Sequence, residues 1–186
     1  MIDFEELVTS RLKYDITNTN PIYRVIRRRV AILIGQWVDV KYDKTKRSQL
    51  YEVLQYLMRE DPGNDLVIRI TAAENLRICI DEWDFVVADY LPYLPEHVAL
   101  ITQLLESVSL TETKLKLVNL LGVIVERMDR HMGYYAQAII RLLPPLWSDS
   151  ASSNLLKSAV LAIMTKLVTV SSVSILYVES LANRMF

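Results

Sequence analysis

The strongest constraint in this sequence is a recurrence. Val25, Arg27, Ala31, Ile34, Val38 and Asp39 reappear 42 positions later as Val67, Arg69, Ala73, Leu76, Ile80 and Asp81. A shift of 45 then brings Lys114, Val118, Leu121, Val125 and Glu126 to the same places, and another 42 brings Leu156, Val160, Ile163 and Leu167, with the acid lost. Apolar residues keep helical spacing throughout: Ile26, Val30, Leu33, Ile34 and Trp37 make one face, and Leu50, Val53, Leu54, Leu57 and Met58 the next. A single helix pair cannot cover its own apolar face, so a chain of this kind folds by stacking neighbouring pairs around a shared core.

A helix-pair period of ~40–47 residues is the HEAT and armadillo range, whereas tetratricopeptide units run ~34. The expected fold is all-α, an α-α superhelix (HEAT/armadillo-type solenoid) of about four helix pairs. It forms one segment over residues 1–186, with repeats at about 22–60, 64–108, 111–147 and 152–184 and a partial preceding helix at 1–20. Only four glycines occur, too few for the turns of a small all-β fold. The breaks agree with the period. Asp61-Pro62-Gly63-Asn64 is a turn cluster, and Asp65 can cap the next helix. Pro92 ends a short segment and Pro95 suits a first helical turn. Thr111 is expected to cap the long apolar helix, and Pro144-Pro145 to stop or kink the helix that contains them. Ala31 and Ala73 are small enough for close helix approach. The basic-then-acidic pattern, Arg27 with Asp39 and Arg69 with Asp81, is expected to pair between adjacent repeats as a ladder.

Composition removes several function classes. With 21 basic and 22 acidic side chains there is no global basic footprint for nucleic acid. Cys79 is the one cysteine, so no intrachain disulfide framework exists, and its place between Ile78 and Ile80 reads as a packed thiol. His97 and His131 have no cysteine or acid cluster at metal spacing and read as surface or capping histidines. Neither a phosphate loop nor a nucleophile elbow occurs. Nothing supports an enzyme, a cofactor or a metal. Met1 to Leu7 carry three acids and no apolar run, unlike a signal peptide. The stretch from Leu155 to Val178 is interrupted by Lys157, Lys166 and Ser171-Ser172, and reads as two buried helices rather than a membrane span.

Two further groups have competing readings. Arg24, Arg27 and Arg28 are a candidate patch for an anionic partner; a solvated face with repeat ion pairs is the simpler account, since acids are interspersed and no stacking aromatics interleave. Trp37, Trp83 and Trp147 lie near helix ends, and Tyr134-Tyr135 form a pair. Junction packing is the simpler account for them, and partner anchoring the sharper one.

The run Arg28-Arg29-Val30-Ala31-Ile32-Leu33-Ile34-Gly35-Gln36-Trp37 resembles the karyopherin-β (importin-β) nuclear transport receptors, in particular their importin-eleven-like branch. Ile68-Arg69, Ala72-Ala73, Ile80-Asp81-Glu82-Trp83-Asp84-Phe85, Leu91-Pro92-Tyr93-Leu94, Glu112-Thr113-Lys114, Leu143-Pro144-Pro145-Leu146-Trp147 and Asn154-Leu155-Leu156 continue it in order, over roughly 22–178. The resemblance implies a central segment of a longer receptor that shuttles between nucleus and cytoplasm. It implies protein cargo as partner, release by Ran-GTP bound mainly through parts absent from this chain, and nucleoporins as further candidate partners. Truncated solenoid ends are expected to promote self-association.

In HEAT proteins the second helix of each pair lines the concave side, here about 46–59, 95–108, 132–146 and 173–184. Their polar positions offer Gln49, Glu52, Gln55, Gln103, Glu106 and Gln137 as candidate cargo-facing residues. The competing function is a constitutive HEAT scaffold or adaptor subunit, indifferent to Ran. A third is an RNA-contacting array through Arg27 to Arg29, which steep salt dependence of binding would reveal.

Overall fold

A computed structural model describes residues 6–18, 20–41, 43–150 and 153–170. The described residues are all-α, of HEAT type. A π-helical turn at Leu7–Leu12 leads into the short α1 (Lys13–Thr17). There follow α2 (Tyr23–Lys41), α3 (Arg47–Met58), α4 (Leu66–Ile80), the one-turn α5 (Val87–Tyr90), α6 (Leu94–Ser107), α7 (Thr111–Met128), α8 (Gly133–Asp149) and α9 (Asn154–Val170). Among the described residues there is no strand, only an isolated bridge from Asp61 to Asn64 that closes the turn expected there. The expected helix at 173–184 lies outside the described residues. Two compact units are present, Met1–Leu100 and Ile101–Phe186.

Local chemistry explains most boundaries. Asp65 caps α4, its carboxylate accepting from the Ile68 N–H at 2.9 Å. α5 ends just ahead of Pro92, and Pro95 sits in the first turn of α6, where its missing N–H costs nothing. Two expectations fail. Thr111 is the first residue of α7 and not its cap; Leu110 precedes the helix and no side chain caps it. Of the stop or kink expected at Pro144-Pro145, the stop does not occur, and α8 runs through them to Asp149. Ile139, Ile140, Leu143 and Leu146 are buried around the prolines, and that burial outweighs the helix-breaking tendency.

In the first unit α2 and α3 both pack on α4. Val30, Ala31, Ile34 and Val38 of α2, Leu50, Leu54 and Leu57 of α3, and Ile68, Ala73, Leu76 and Ile80 of α4 are buried. The two alanines allow the expected approach, and Gly35 tightens it further. A Cβ on Gly35 would come within 2.0 Å of the Asn75 Oδ1. Asn75 is itself buried and tied to its helix by an Nδ2–H bond to the Thr71 carbonyl at 2.7 Å. In the second unit α7 packs on α9 through Leu117, Val118, Leu121, Val125, Val160, Ile163 and Leu167. Gly122 lies one full double period after Gly35 (42 plus 45 residues) and again faces the first helix of the next repeat, 3.6 Å from Ile163 for an added Cβ.

The ion pairs are not the expected ladder. Arg27 reaches Asp61 and Asn64 in the turn that ends α3, and Lys114 reaches Asp149 at the end of α8. In these two pairs the basic residue ties the first helix to the exit of the second, whereas Arg69 of α4 reaches back to the preceding pair, its Nε donating to the Met58 carbonyl at the end of α3 at 3.0 Å. The acids go elsewhere: Asp81 pairs with Arg77 one turn back, and Glu126 with Lys166 of α9. A long basic side chain spans the width of its own pair, and the acids at the far end of the same helix lie out of its reach.

Gly35→Ala should destabilise the chain by about 1–3 kcal/mol, because overpacking against a fixed Asn75 outweighs the helix-propensity gain of about 1 kcal/mol. Combined with Asn75→Ala the loss should be clearly smaller than the sum of the single changes, as read from urea midpoints. Additive losses would show that the two residues do not meet.

Candidate protein-binding surface

The expected partner-facing residues take different positions. On α3, Gln49 is half-buried, and Glu52 is exposed and forms a loose 3.8 Å pair with Lys13, a type of contact that adds little stability. Gln55 turns inward. Its Nε2 donates to Glu96 Oε2 at 2.9 Å, while Arg59 holds the other Glu96 oxygen. Glu96 thereby joins α3 to the start of α6, and Gln55 is a structural strut more than a contact residue. Gln103 and Glu106 of α6 and Gln137 of α8 are exposed. Of these six, Glu106 alone lines a described pocket, a cavity of about 240 Å³ lined also by Leu105, Lys114, Leu142, Pro145, Leu146 and Asp149.

The arginine patch loses one of its three members. Arg27 is 1% exposed and is not available to a partner. Its Nη1 donates to Asn64 Oδ1 at 2.9 Å and its Nη2 to the Asn18 carbonyl at 3.0 Å, with the guanidinium over the Tyr56 ring. The same group packs directly on Gly63, where a Cβ would clash at 1.8 Å. A buried charge requires such partners. Arg24 is exposed but donates to the Pro62 carbonyl at 2.7 Å; Arg28 is exposed. The cationic surface is smaller than the sequence run suggests.

The aromatics divide as well. Trp83 is 95% exposed, in the acidic loop between α4 and α5, so it packs no junction within its unit. Tyr134 is also exposed and stacks edge-on with Tyr135 at 5.2 Å. Trp147 is half-buried, with Lys157 over its ring at 5.6 Å. Beside Trp83, the Glu82 carboxyl is pushed up to about 7, first by burial and then by its hydrogen bond with Asp39.

His97 is a correction. It is fully buried rather than on the surface, with Nδ1 2.9 Å from the Tyr90 hydroxyl and its ring against Tyr90 and Tyr93. Tyr51 packs edge-on against Tyr90 at 5.0 Å, completing an aromatic cluster. Burial pushes His97 down to about 3. Cys79 is buried as expected, its thiol pushed up to about 12 by the same cause, which keeps it inert. Among the described residues no group of three or more His, Cys, Asp or Glu side chains is placed to hold a metal, and no helix is long and apolar enough to cross a membrane.

The helix pairs and their 42–45 residue spacing define a HEAT-type helical repeat protein. The chain is 33% identical over 167 residues to importin-11 of Mus musculus and of Homo sapiens, covering 90% of this chain and 17% of theirs. It is 32% identical over 177 residues to the importin beta-like protein KAP120 of Saccharomyces cerevisiae, covering 91% of this chain and 17% of that one. The chain belongs to the karyopherin-β family, on its importin-eleven-like branch. It spans 17% of the length of these relatives. No protein-family model and no solved structure matches it.

The lowered His97 sets an acid response. Its neutral form is favoured by folding, so the stabilisation is complete above the unfolded value near 6.5. It is lost progressively as pH falls from 6.5 towards 3, by an amount on the order of a few kcal/mol. His97→Gln, which retains an acceptor for Tyr90, should flatten the slope of unfolding free energy against pH between 6.5 and 4, whatever its effect on stability at pH 8. Parallel slopes for the two proteins would place the titrating group elsewhere.

Proposed function

We propose that this chain is a protein-binding HEAT segment of a nuclear import receptor that carries protein cargo through the nuclear pore under Ran-GTP control. The homology to importin-11 and KAP120 over nine-tenths of the chain carries the reading. Three features of the chain support recognition over catalysis. Its one cysteine is buried and inert, its buried histidine is held neutral in an aromatic cluster, and its exposed groups are a tryptophan, a tyrosine pair and scattered amides and acids. Such surfaces bind by shape and charge. On this reading the protein moves between nucleus and cytoplasm, cargo contacts include Glu52, Gln103, Glu106 and Gln137, and Ran-GTP engages mainly repeats outside this chain. Trp83 is a candidate anchor, because an aromatic ring left in water gains most when a partner covers it.

The test is capture on the immobilised full-length receptor and on this chain, each with and without GTP-locked Ran, read by mass spectrometry. Cargo that Ran-GTP displaces from the receptor is the expected result, and Trp83→Ala should weaken retention of that cargo by about tenfold if the ring is an anchor. Stable partners indifferent to Ran would overturn the transport reading in favour of a constitutive scaffold.

A further inference from the structure

We propose that Glu82 changes partner with its proton: protonated it is held by Asp39 near the end of α2, and ionised it turns to Arg47 at the start of α3, which resets the exposed loop carrying Trp83. The inference goes beyond the transport reading and does not depend on it. Glu82 lies in the loop between α4 and α5, in a turn closed by the Phe85 N–H on the Glu82 carbonyl at 3.3 Å. Its carboxyl is hydrogen-bonded to that of Asp39. An ionised carboxyl only accepts, so this bond exists only while one of the two holds a proton. Once that proton leaves, two like charges face each other and the contact opens.

Arg47 supplies the second position. It is 4% exposed, and its Nε and Nη1 are buried without a hydrogen-bond partner. A guanidinium keeps its charge at any working pH, and a buried one is costly until it is paired. The charged and titratable groups around Glu82 are Asp39 of α2, Arg47 and Tyr51 of α3, Cys79 of α4 and Asp81 beside it. Burial keeps Tyr51 and Cys79 protonated, so the exchange is left to the acids and one arginine. Burial first, then Asp39, push the Glu82 carboxyl upward and Asp81 adds to the rise, whereas Arg47 pulls it down. The two partners thus act on Glu82 in opposite senses: Asp39 favours the proton and Arg47 favours the charge. Phe85 packs on Tyr90 at 5.7 Å and anchors the far side of the turn. Trp83, next to Glu82, is 95% exposed, so no packing of its ring resists the movement.

The test follows three NMR signals of the whole chain as pH rises from about 5 to about 9: the Glu82 carboxyl carbon, the Trp83 indole N–H and the Arg47 Nε–H. All three should move with one midpoint, and the Arg47 signal should shift downfield as it gains an acceptor. Glu82→Gln keeps a donor for Asp39 at every pH, so it should hold the Trp83 and Arg47 signals at their low-pH positions. Asp39→Asn removes the like charge and should lower the midpoint by about one pH unit or more, and Arg47→Gln should raise it. A Trp83 signal that does not follow Glu82, an Arg47 Nε–H unchanged across the midpoint, or a Glu82 carboxyl titrating at the ordinary ~4.3 would overturn the proposal. So would a midpoint that Asp39→Asn leaves in place. Should Arg47→Gln fail to fold, the two acid variants decide alone, because Asp39 is exposed and Glu82 half-buried. None of these readings involves cargo or Ran, so this exchange and the transport reading stand or fall separately.

Discussion

The contact on which the first unit depends is the approach of α2 to α4. Helices pack at 8–10 Å between axes according to the side chains at the crossing. Here Ala31, Ala73 and Gly35 remove the bulk, and the Asn75 side chain occupies the space that a Cβ on Gly35 would need. Close approach buries Ile34, Val38 and Leu76, and α3 also packs on α4. Gly122 takes the equivalent place between α7 and α9 with more room, since an added Cβ would meet Ile163 at an ordinary 3.6 Å, and its carbonyl accepts from Lys166 Nζ at 3.2 Å. A period in the sequence thus corresponds to a period in which helices meet, with the tightest approach in the first unit.

That correspondence explains what the sequence made legible. Apolar spacing and small residues report burial directly, because burial is a property of side-chain volume and hydration. The helices at Tyr23–Lys41, Arg47–Met58, Leu66–Ile80, Leu94–Ser107 and Thr111–Met128 derive from it, as does the cap at Asp65. Polar residues resisted the same treatment. Arg27 and Arg28 are adjacent and chemically identical, yet one is buried on Gly63 and the other is in water. Only the helical phase separates them: Arg27 lies on the same stripe as Ala31 and Ile34 (spacings of four and seven), and that signal was available. His97 falls with Leu94, Ile101 and Leu104 by the same spacing, and its burial was readable there too. The positive φ of Asp129, 45°, had no signal at all, since glycine would ordinarily mark such a position.

The candidate surface was less legible than the core for a physical reason. Exposure says only that no neighbour in the chain needs a residue. Gln55 and Glu52 sit on one helix at three-residue spacing, yet Gln55 is drawn inward because Glu96 and Arg59 offer it a network, while Glu52 has only a distant lysine. Network formation depends on residues ~40 positions away, which one helix's pattern does not encode. The acids at the repeat position show the same effect. Asp39, Asp81 and Glu126 are equivalent in the sequence, but they meet Glu82, Arg77 and Lys166 respectively.

The buried polar groups divide the labour between fixing and binding. Arg27 and His97 are enclosed and partnered through Nη1 and Nδ1, though Arg27 Nε and His97 Nε2 are buried without a partner, and the partners lie on separate elements: the turn after α3 for one, α5 for the other. Breaking such a contact leaves a desolvated group unpaired, so these residues hold one arrangement of helices against alternatives. By contrast Trp83 is left in water, 95% exposed. Loss of helix hydrogen bonds at two consecutive positions has a cost that buried Leu143 and Leu146 offset. The same burial is what carries α8 through both prolines to Asp149, so the end of this helix is set by packing and not by its local breakers.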